Sequence, residues 1–364
     1  MGRAGRVTKG RIVRALTTAA LVAIAAARAD AQTADDHQNP MPASRPDLVA
    51  HVFGSVDWGA AQRSDTLNSF ALGQLALFVT ASINDRVSLL AEVVTEASAA
   101  DTRVAVNLER LQLTYRLNDQ LNLSAGRFHT GIGFYNAAFH HGSYFETVIG
   151  RPRIFRFEHE GGVLPIHEVG LSVRGKVPKT GSTLQYVAEV GNGRRWTDFG
   201  DEILDQNKAK STNVGLSVRP ESWRDAEVGA SFYRDDIPVD VDTSVTHHIT
   251  AVYGIYRTPS VELMAEWLEL SYRQAGIATT YVDRGGYVQV SKAFGKLRPY
   301  YRYDRLDINP ATPFIGDYGS STQHVAGLRF DPATWVGIKS QYERMYENGG
   351  AGANGVHVQL VFVF

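Results

Sequence analysis

Large apolar and polar side chains alternate along most of this chain, in runs of about ten residues that each end in a tight turn or a longer polar connection. Val169, Leu171 and Val173 alternate with Glu168, Gly170, Ser172 and Arg174, and Val214, Leu216 and Val218 alternate with Asn213, Gly215, Ser217 and Arg219. Successive strand residues face opposite ways, so each run has one apolar and one wet face. The pattern predicts strands over 48–58, 72–83, 87–96, 103–117, 121–129, 168–177, 183–191, 212–219, 226–234, 245–257, 261–272, 281–294, 297–307, 322–330, 335–346 and 355–364.

Seven of the junctions are short and rich in turn formers: Asn84-Asp85, Asn118-Asp119, Lys179-Thr180-Gly181, the stretch 221–225, Thr258-Pro259, Gly295-Lys296 and Asp331-Pro332-Ala333. Eight longer polar connections alternate with them, near 60–70, 97–102, 130–167, 194–211, 235–244, 273–280, 308–321 and 347–354. That alternation requires sixteen antiparallel strands with both chain ends on the short-turn side; boundary errors of a few residues would give fourteen or eighteen. Parity alone leaves a β-sandwich open, since its apolar face would pack inward. The aromatics favour a transmembrane β-barrel: Trp58, Tyr115, Tyr186, Phe232, Tyr253, Trp267, Tyr301, Tyr303 and Phe330 fall on the apolar parity, several near strand ends. Parity slips at Glu109-Arg110, around Leu268-Glu269-Leu270 and at Gly126-Arg127-Phe128, three candidate bulges.

At the N-terminus, Arg3, Arg6, Lys9, Arg11 and Arg14 precede an apolar run and Ala29-Asp30-Ala31, so 1–31 reads as a secretory signal peptide of the Sec type. Its thirteen-residue apolar run, 15–27, falls short of the roughly 20 residues a spanning helix needs. Residues 32–47 are expected to form a flexible N-terminal segment, and 48–364 the barrel. Removing 1–31 takes away six basic side chains and one acidic one, leaving 31 basic against 37 acidic. Such a surface lacks the basic footprint of nucleic-acid binding. The absence of cysteine excludes disulfides and thiolate chemistry.

In the last ten residues Val356, Val358, Leu360, Phe362 and Phe364 share one side, and the chain resembles bacterial outer-membrane β-barrel proteins there. The resemblance implies a Gram-negative outer membrane, contact with its lipid and lipopolysaccharide, and Phe364 as the signal read by the barrel assembly machinery. The runs Ser124-Ala125-Gly126-Arg127-Phe128-His129-Thr130-Gly131-Ile132-Gly133, Glu168-Val169-Gly170-Leu171-Ser172-Val173-Arg174-Gly175 and Val190-Gly191-Asn192-Gly193 resemble the porins, and more narrowly the phosphate-selective porin O and P type. That likeness implies passive diffusion of small hydrophilic solutes or ions through a water-filled channel, usually in a homotrimer, with the third extracellular loop folded into the lumen. The other reading is a non-conducting structural or adhesive barrel plugged by that loop.

Connection 130–167 is far longer than any other, and a connection of that length is usually functional. Its Tyr144, Glu146, Arg151, Arg153, Arg156, Glu158 and Glu160 are expected to form a constriction in which the three arginines meet the three glutamates; exposed loop salt bridges are the plainer reading. Lumen-lining positions by parity include Glu109, Arg110, Arg116, Arg174, Glu262, Glu266, Arg298, Arg302, Asp304, Lys339 and Glu343. Over the whole lumen ten acids oppose nine bases, whereas phosphate-selective members use lysine and arginine arrays; charged rings set selectivity, so no strong phosphate preference follows. No cofactor or metal is expected. The adjacent histidines in His140-His141 and His247-His248 point apart on a strand, and Glu158-His159-Glu160 lacks zinc-hydrolase spacing. Ser143 beside His140 is a weak hydrolase pair, G-x-S-x-G and P-loop elements are absent, and the chain reads as no enzyme.

Overall fold

Sixteen strands form where the alternating runs place them: β1 Asp47–Ala61, β2 Ser69–Ser82, β3 Val87–Ala97, β4 Val104–Asn118, β5 Leu121–His129, β6 His167–Lys179, β7 Ser182–Gly191, β8 Ser211–Pro220, β9 Ala226–Pro238, β10 Ser244–Arg257, β11 Val261–Gln274, β12 Tyr281–Lys292, β13 Leu297–Asp307, β14 Ser321–Ala333, β15 Val336–Glu347 and β16 Ala353–Val363. The structure is a computed structural model that describes residues 46–61, 69–97, 104–139, 142–157, 162–194, 209–239, 243–312 and 319–364. The leader 1–31, nearly all of 32–47, and His140, His141, Glu158, His159 and Glu160 lie outside the described residues.

Each strand pairs antiparallel with its sequence neighbours, and β1 closes on β16. At the closure Phe364 N donates to Val52 O at 2.9 Å and Val52 N donates to Phe364 O at 3.1 Å. A closed ladder has no unpaired strand edge. The seven short turns gather at one end and the longer connections at the other, because the strands alternate in direction. Local chemistry shapes the turns: Asn84 Oδ1 accepts the amides of Arg86 and Val87, each at 2.9 Å.

Burial follows the sequence period. On β8, Val214 and Leu216 are 53% and 52% exposed, while Asn213 and Ser217 are 1% and 5% exposed. The apolar face therefore points outward and the polar face into the closed barrel. The β3–β4 register steps from Glu92 opposite Arg110 to Val93 opposite Leu108, leaving Glu109 as the extra residue of the expected bulge. Both Glu109 and Arg110 are buried as a result.

Three parity expectations are corrected. Register runs unbroken through Leu268–Leu270 against both neighbours, so no bulge lies there. Leu268 and Leu270 face inward because the inner wall at that height packs against apolar side chains, Ile154 and Phe155 among them. No register shift occurs at Gly126–Phe128 either. Gly126 instead takes a φ of 129°, and the Arg127 side chain is buried with Nε donating to Glu109 O at 3.0 Å. Tyr253 belongs to the inward parity, where its hydroxyl donates to Glu227 Oε1 at 2.9 Å.

The main apolar core joins inward residues of β9 to β13, such as Tyr233, Ile249, Met264 and Tyr287, to residues of the connection between β5 and β6. Ile132, Tyr135, Ile154, Phe155 and Leu164 of that connection are at most 2% exposed. Each such burial is worth roughly 1.5–3 kcal/mol.

Candidate functional site

Beside that apolar core, the inward wall carries cross-linked charged side chains. Arg110 Nε meets Glu92 Oε2 at 2.6 Å, Arg174 Nη2 meets Glu189 Oε1 at 2.7 Å, Arg219 Nη2 meets Glu227 Oε2 at 2.7 Å, and Arg302 Nε meets Asp304 Oδ2 at 2.8 Å. Ladder parity places Glu262, Glu266, Arg298, Lys339 and Glu343 on the same face. Arg257 bridges to Glu262 at 3.3 Å, and His357 Nε2 lies 3.1 Å from Glu343 Oε1. Glu109 Oε2 lies 2.9 Å from His167 Nε2. Arg116 and Arg298 sit at the short-turn end, with Arg116 paired to Asp119 at 2.5 Å and Arg298 donating to Pro259 O at 2.6 Å.

Segment 130–166 leaves β5 at His129 and returns at His167, one residue before the expected start of β6. Its described residues include an α-helical turn, Tyr135–Ala138, and a 3-10 turn, Arg153–Phe155. Its hydrogen bonds go to inward side chains of successive alternate strands. Gly131 N donates to Glu189 on β7 at 2.7 Å, Gly133 N to Ser231 on β9 at 3.1 Å, and Phe134 N and Tyr135 N to Glu266 on β11 at 2.7 and 2.8 Å. Farther on, Arg153 N donates to Asp304 on β13 at 3.2 Å and Ile149 N to Gln341 on β15 at 3.0 Å. Basic side chains of the wall reach back to its carbonyls: Arg302 to Gly150 and Arg151 at 2.8 and 3.2 Å, and Arg329 to Tyr144 and Glu146 at 2.6 and 2.9 Å. Lys339 Nζ donates to Ser143 O at 2.5 Å. The Tyr144 hydroxyl donates to Thr334 O in the turn between β14 and β15, and the Phe145 ring meets Phe53 of β1 edge-on at 5.1 Å.

The expected pairing of Arg151, Arg153 and Arg156 with Glu146 is absent among the described residues. Arg151 is buried and braces the segment itself, donating to Phe155 O, Phe139 O and Asn136 Oδ1, with its guanidinium 4.3 Å from the Phe157 ring centre. Arg153 reaches Ser321 at 3.2 Å and Glu347 at 3.4 Å. Glu146 accepts from the Tyr135 hydroxyl at 3.0 Å. Burial first, then the Glu146 charge, raises the Tyr135 phenol well above its usual range, so it stays a donor. Glu158 and Glu160 lie outside the described residues.

Two cavities flank the segment. One of about 850 Å³ brings Arg153 and Arg156 and Arg302 of β13 together with Asp57, Glu96 and Glu343 of the wall. The other, of about 900 Å³, lies against Gly131, Gly133 and Ala137 and is lined at the short-turn end by Arg116, Arg174 and Lys176.

A further buried polar cluster was not singled out from the sequence. Glu168 accepts from Ser211 and, at 2.9 Å, from Gly193 N, while Asp235 accepts from Arg194 N at 2.8 Å. The Asp235-Asp236 pair reads as loop, yet β9 continues to Pro238, and extending the alternation from Tyr233 would have placed Asp235 inward.

The sequence matches no known family model and no curated protein. Among solved structures, the anion-selective porin of Comamonas acidovorans aligns with a TM-score of 0.62 at 11% identity, over 88% of this chain and 100% of that one. The outer-membrane channel DcaP of Acinetobacter baumannii aligns with a TM-score of 0.60 at 14% identity, over 88% and 97%. In-vitro folded OmpT of Vibrio cholerae, in its trimer form, aligns with a TM-score of 0.58 at 12% identity, over 88% and 100%. At these identities the likeness is one of fold: a sixteen-stranded, porin-like barrel.

Proposed function

We propose that this barrel sits in the outer membrane of a Gram-negative bacterium and carries small hydrophilic solutes or ions by passive diffusion. The observation that carries the reading is the contrast between the two faces of one closed sheet. Leu75, Leu113, Leu171, Leu216, Val252, Val288, Leu328 and Leu360 stand exposed on every second strand around the whole circumference. An apolar exterior of that extent suits hydrocarbon and not water. The opposite face carries acids and bases in near balance, and charged side chains line part of each of the two cavities.

In this reading segment 130–166 lies in the lumen and narrows it, held by its hydrogen bonds to the inner wall. Arg153, Arg156 and Arg302 form the basic side of the passage and Asp57, Glu96 and Glu343 the acidic side. Tyr144, Glu146 and Arg151 fix the segment. Mixed charge favours weak ion selectivity over the phosphate preference of the porin O and P type. Glu262 and Glu266 serve as acceptors for wall and segment donors, which suits a structural role and not a catalytic one. A homotrimer, assembly through Phe364 and contact with outer-membrane lipid complete the reading.

Liposome swelling tests it. Vesicles holding the refolded protein are expected to admit small sugars and amino acids at rates that fall steeply with solute size; vesicles that stay impermeable to all of them would refute it.

A further inference from the structure

Part of the inner wall is neither polar nor covered by protein. On β1, Asp57 and Ser55 line the 850 Å³ cavity. The next inward positions toward the short-turn end are Phe53, His51 and Val49, each step about 6.6 Å. Phe78 of β2 stands opposite His51, and Val363 of β16 opposite Phe53. The Phe53 ring centre lies 6.2 Å from that of Phe78, 6.3 Å from His51 in a stacked arrangement, and 5.1 Å from Phe145 of segment 130–166. The inner positions of this stretch of β1, and Ala76, Phe78 and Thr80 facing them on β2, carry no carboxylate, lysine or arginine.

The patch is partly bare. Phe145 is 55% and Val49 43% exposed, and His51 is exposed as well. Val49 and His51 belong to the inner face of a closed sheet and Phe145 packs against that face, so they front the lumen and not hydrocarbon. Bare apolar surface in water is stabilised when it is covered, and aromatic rings cover one another edge-on or offset.

The adjoining cavity holds two charges that the wall does not neutralise. Asp57 and Arg156 both line it, and neither enters an ion pair among the described residues. Asp57 Oδ2 accepts from Ser55 Oγ at 3.3 Å, which brings the carboxylate to the inward position next to Phe53. A carboxylate accepts from an ammonium, and a guanidinium fork holds a carboxylate through two parallel bonds.

We propose that the cavity and the patch together form a binding subsite for an aromatic α-amino acid, with its ring against Phe53, Phe78 and Phe145, its ammonium on Asp57 and its carboxylate on Arg156. The inference rests on the reading of the lumen as a solute passage and names the solute class that this passage favours. One free acid and one free base select a zwitterion, because a solute of single charge leaves one of the two unanswered.

The test uses the full chain refolded in nonionic detergent and titrated with 4-fluoro-L-phenylalanine. Binding is read from the fluorine NMR line width against protein-free micelles, and unlabelled compounds are ranked by displacement. L-phenylalanine is expected to displace the probe at about tenfold lower concentration than L-alanine, which lacks the ring, or phenethylamine, which lacks the carboxylate. F145A is expected to abolish the advantage over alanine and R156Q the advantage over phenethylamine, each leaving the other advantage in place. F294A, which removes an exposed ring in the turn after β12, keeps both. Heat-modifiable mobility on gels verifies that each variant is a closed barrel. A probe that the protein does not broaden, equal displacement by the three compounds, an unchanged ranking in F145A or R156Q, or the same loss in F294A would overturn the proposal. Conductance and vesicle uptake are measured separately: binding without passage would refute the channel and leave the subsite standing, and passage without discrimination would do the reverse.

Discussion

Glu266 on β11 accepts the backbone amide of Tyr135 at 2.8 Å, tying the α-helical turn of segment 130–166 to the barrel wall. The same carboxylate takes the Phe134 amide at 2.7 Å and the Tyr287 hydroxyl at 2.7 Å. Glu266→Ala therefore orphans three donors, at about 1.5–3 kcal/mol for each bond to a charged group. The expected outcome is a barrel that still migrates as folded, is cleaved by protease within 130–166, and shows noisier, larger conductance steps. A variant as protease-resistant as the wild type would contradict this anchoring role.

The Glu92–Arg110 pair lies beside the Glu109 bulge with side chains only 1% and 6% exposed. Arg110→Ala strands a buried carboxylate and is expected to cost roughly 3–5 kcal/mol, read as a lower urea midpoint in vesicles. The double variant Glu92→Met/Arg110→Met should recover most of that loss, because it removes both charges.

Backbone demands separate two glycines. Gly126 has a φ of 129°, and a Cβ there would stand 1.9 Å from Leu111 O. Gly254 on β10 has open space at the same point. Gly126→Ala is expected to lower folding yield and stability by more than about 1 kcal/mol, and Gly254→Ala to leave both unchanged within about 0.5 kcal/mol. Refolding yield and urea titration of the two variants check it.

Arg153 and Arg156 line the 850 Å³ cavity together with Asp57, Glu96 and Glu343. Neutralising both to Gln leaves the acidic wall unbalanced, and the reversal potential in a salt gradient is expected to move toward cation preference. Neutralising Glu96 and Glu343 should move it the other way. Unmoved potentials in both variants would place the ion path elsewhere.

Strand positions, closure partners and the two faces were legible because alternation with period two survives wherever one face meets a uniform medium. The Glu109 bulge was legible for the same reason, as an odd step between Leu108 and Leu111. Legibility failed where the inner wall meets protein: Leu268 and Leu270 turn inward against the segment, and Tyr253 faces Glu227, so apolar character no longer marks the outside. The partners of Arg151 and Glu146 were not legible. They depend on where a long irregular connection packs, and neither period nor spacing encodes that.

Single-channel recording of the refolded chain in a planar bilayer, with the reversal potential taken in a salt gradient, tests the central claim most directly. Stable conductance steps, appearing in threes for a trimer, with a small reversal potential are expected from a water-filled lumen of balanced charge. A barrel that is folded by gel mobility and circular dichroism yet passes no current would contradict the account and make segment 130–166 a plug.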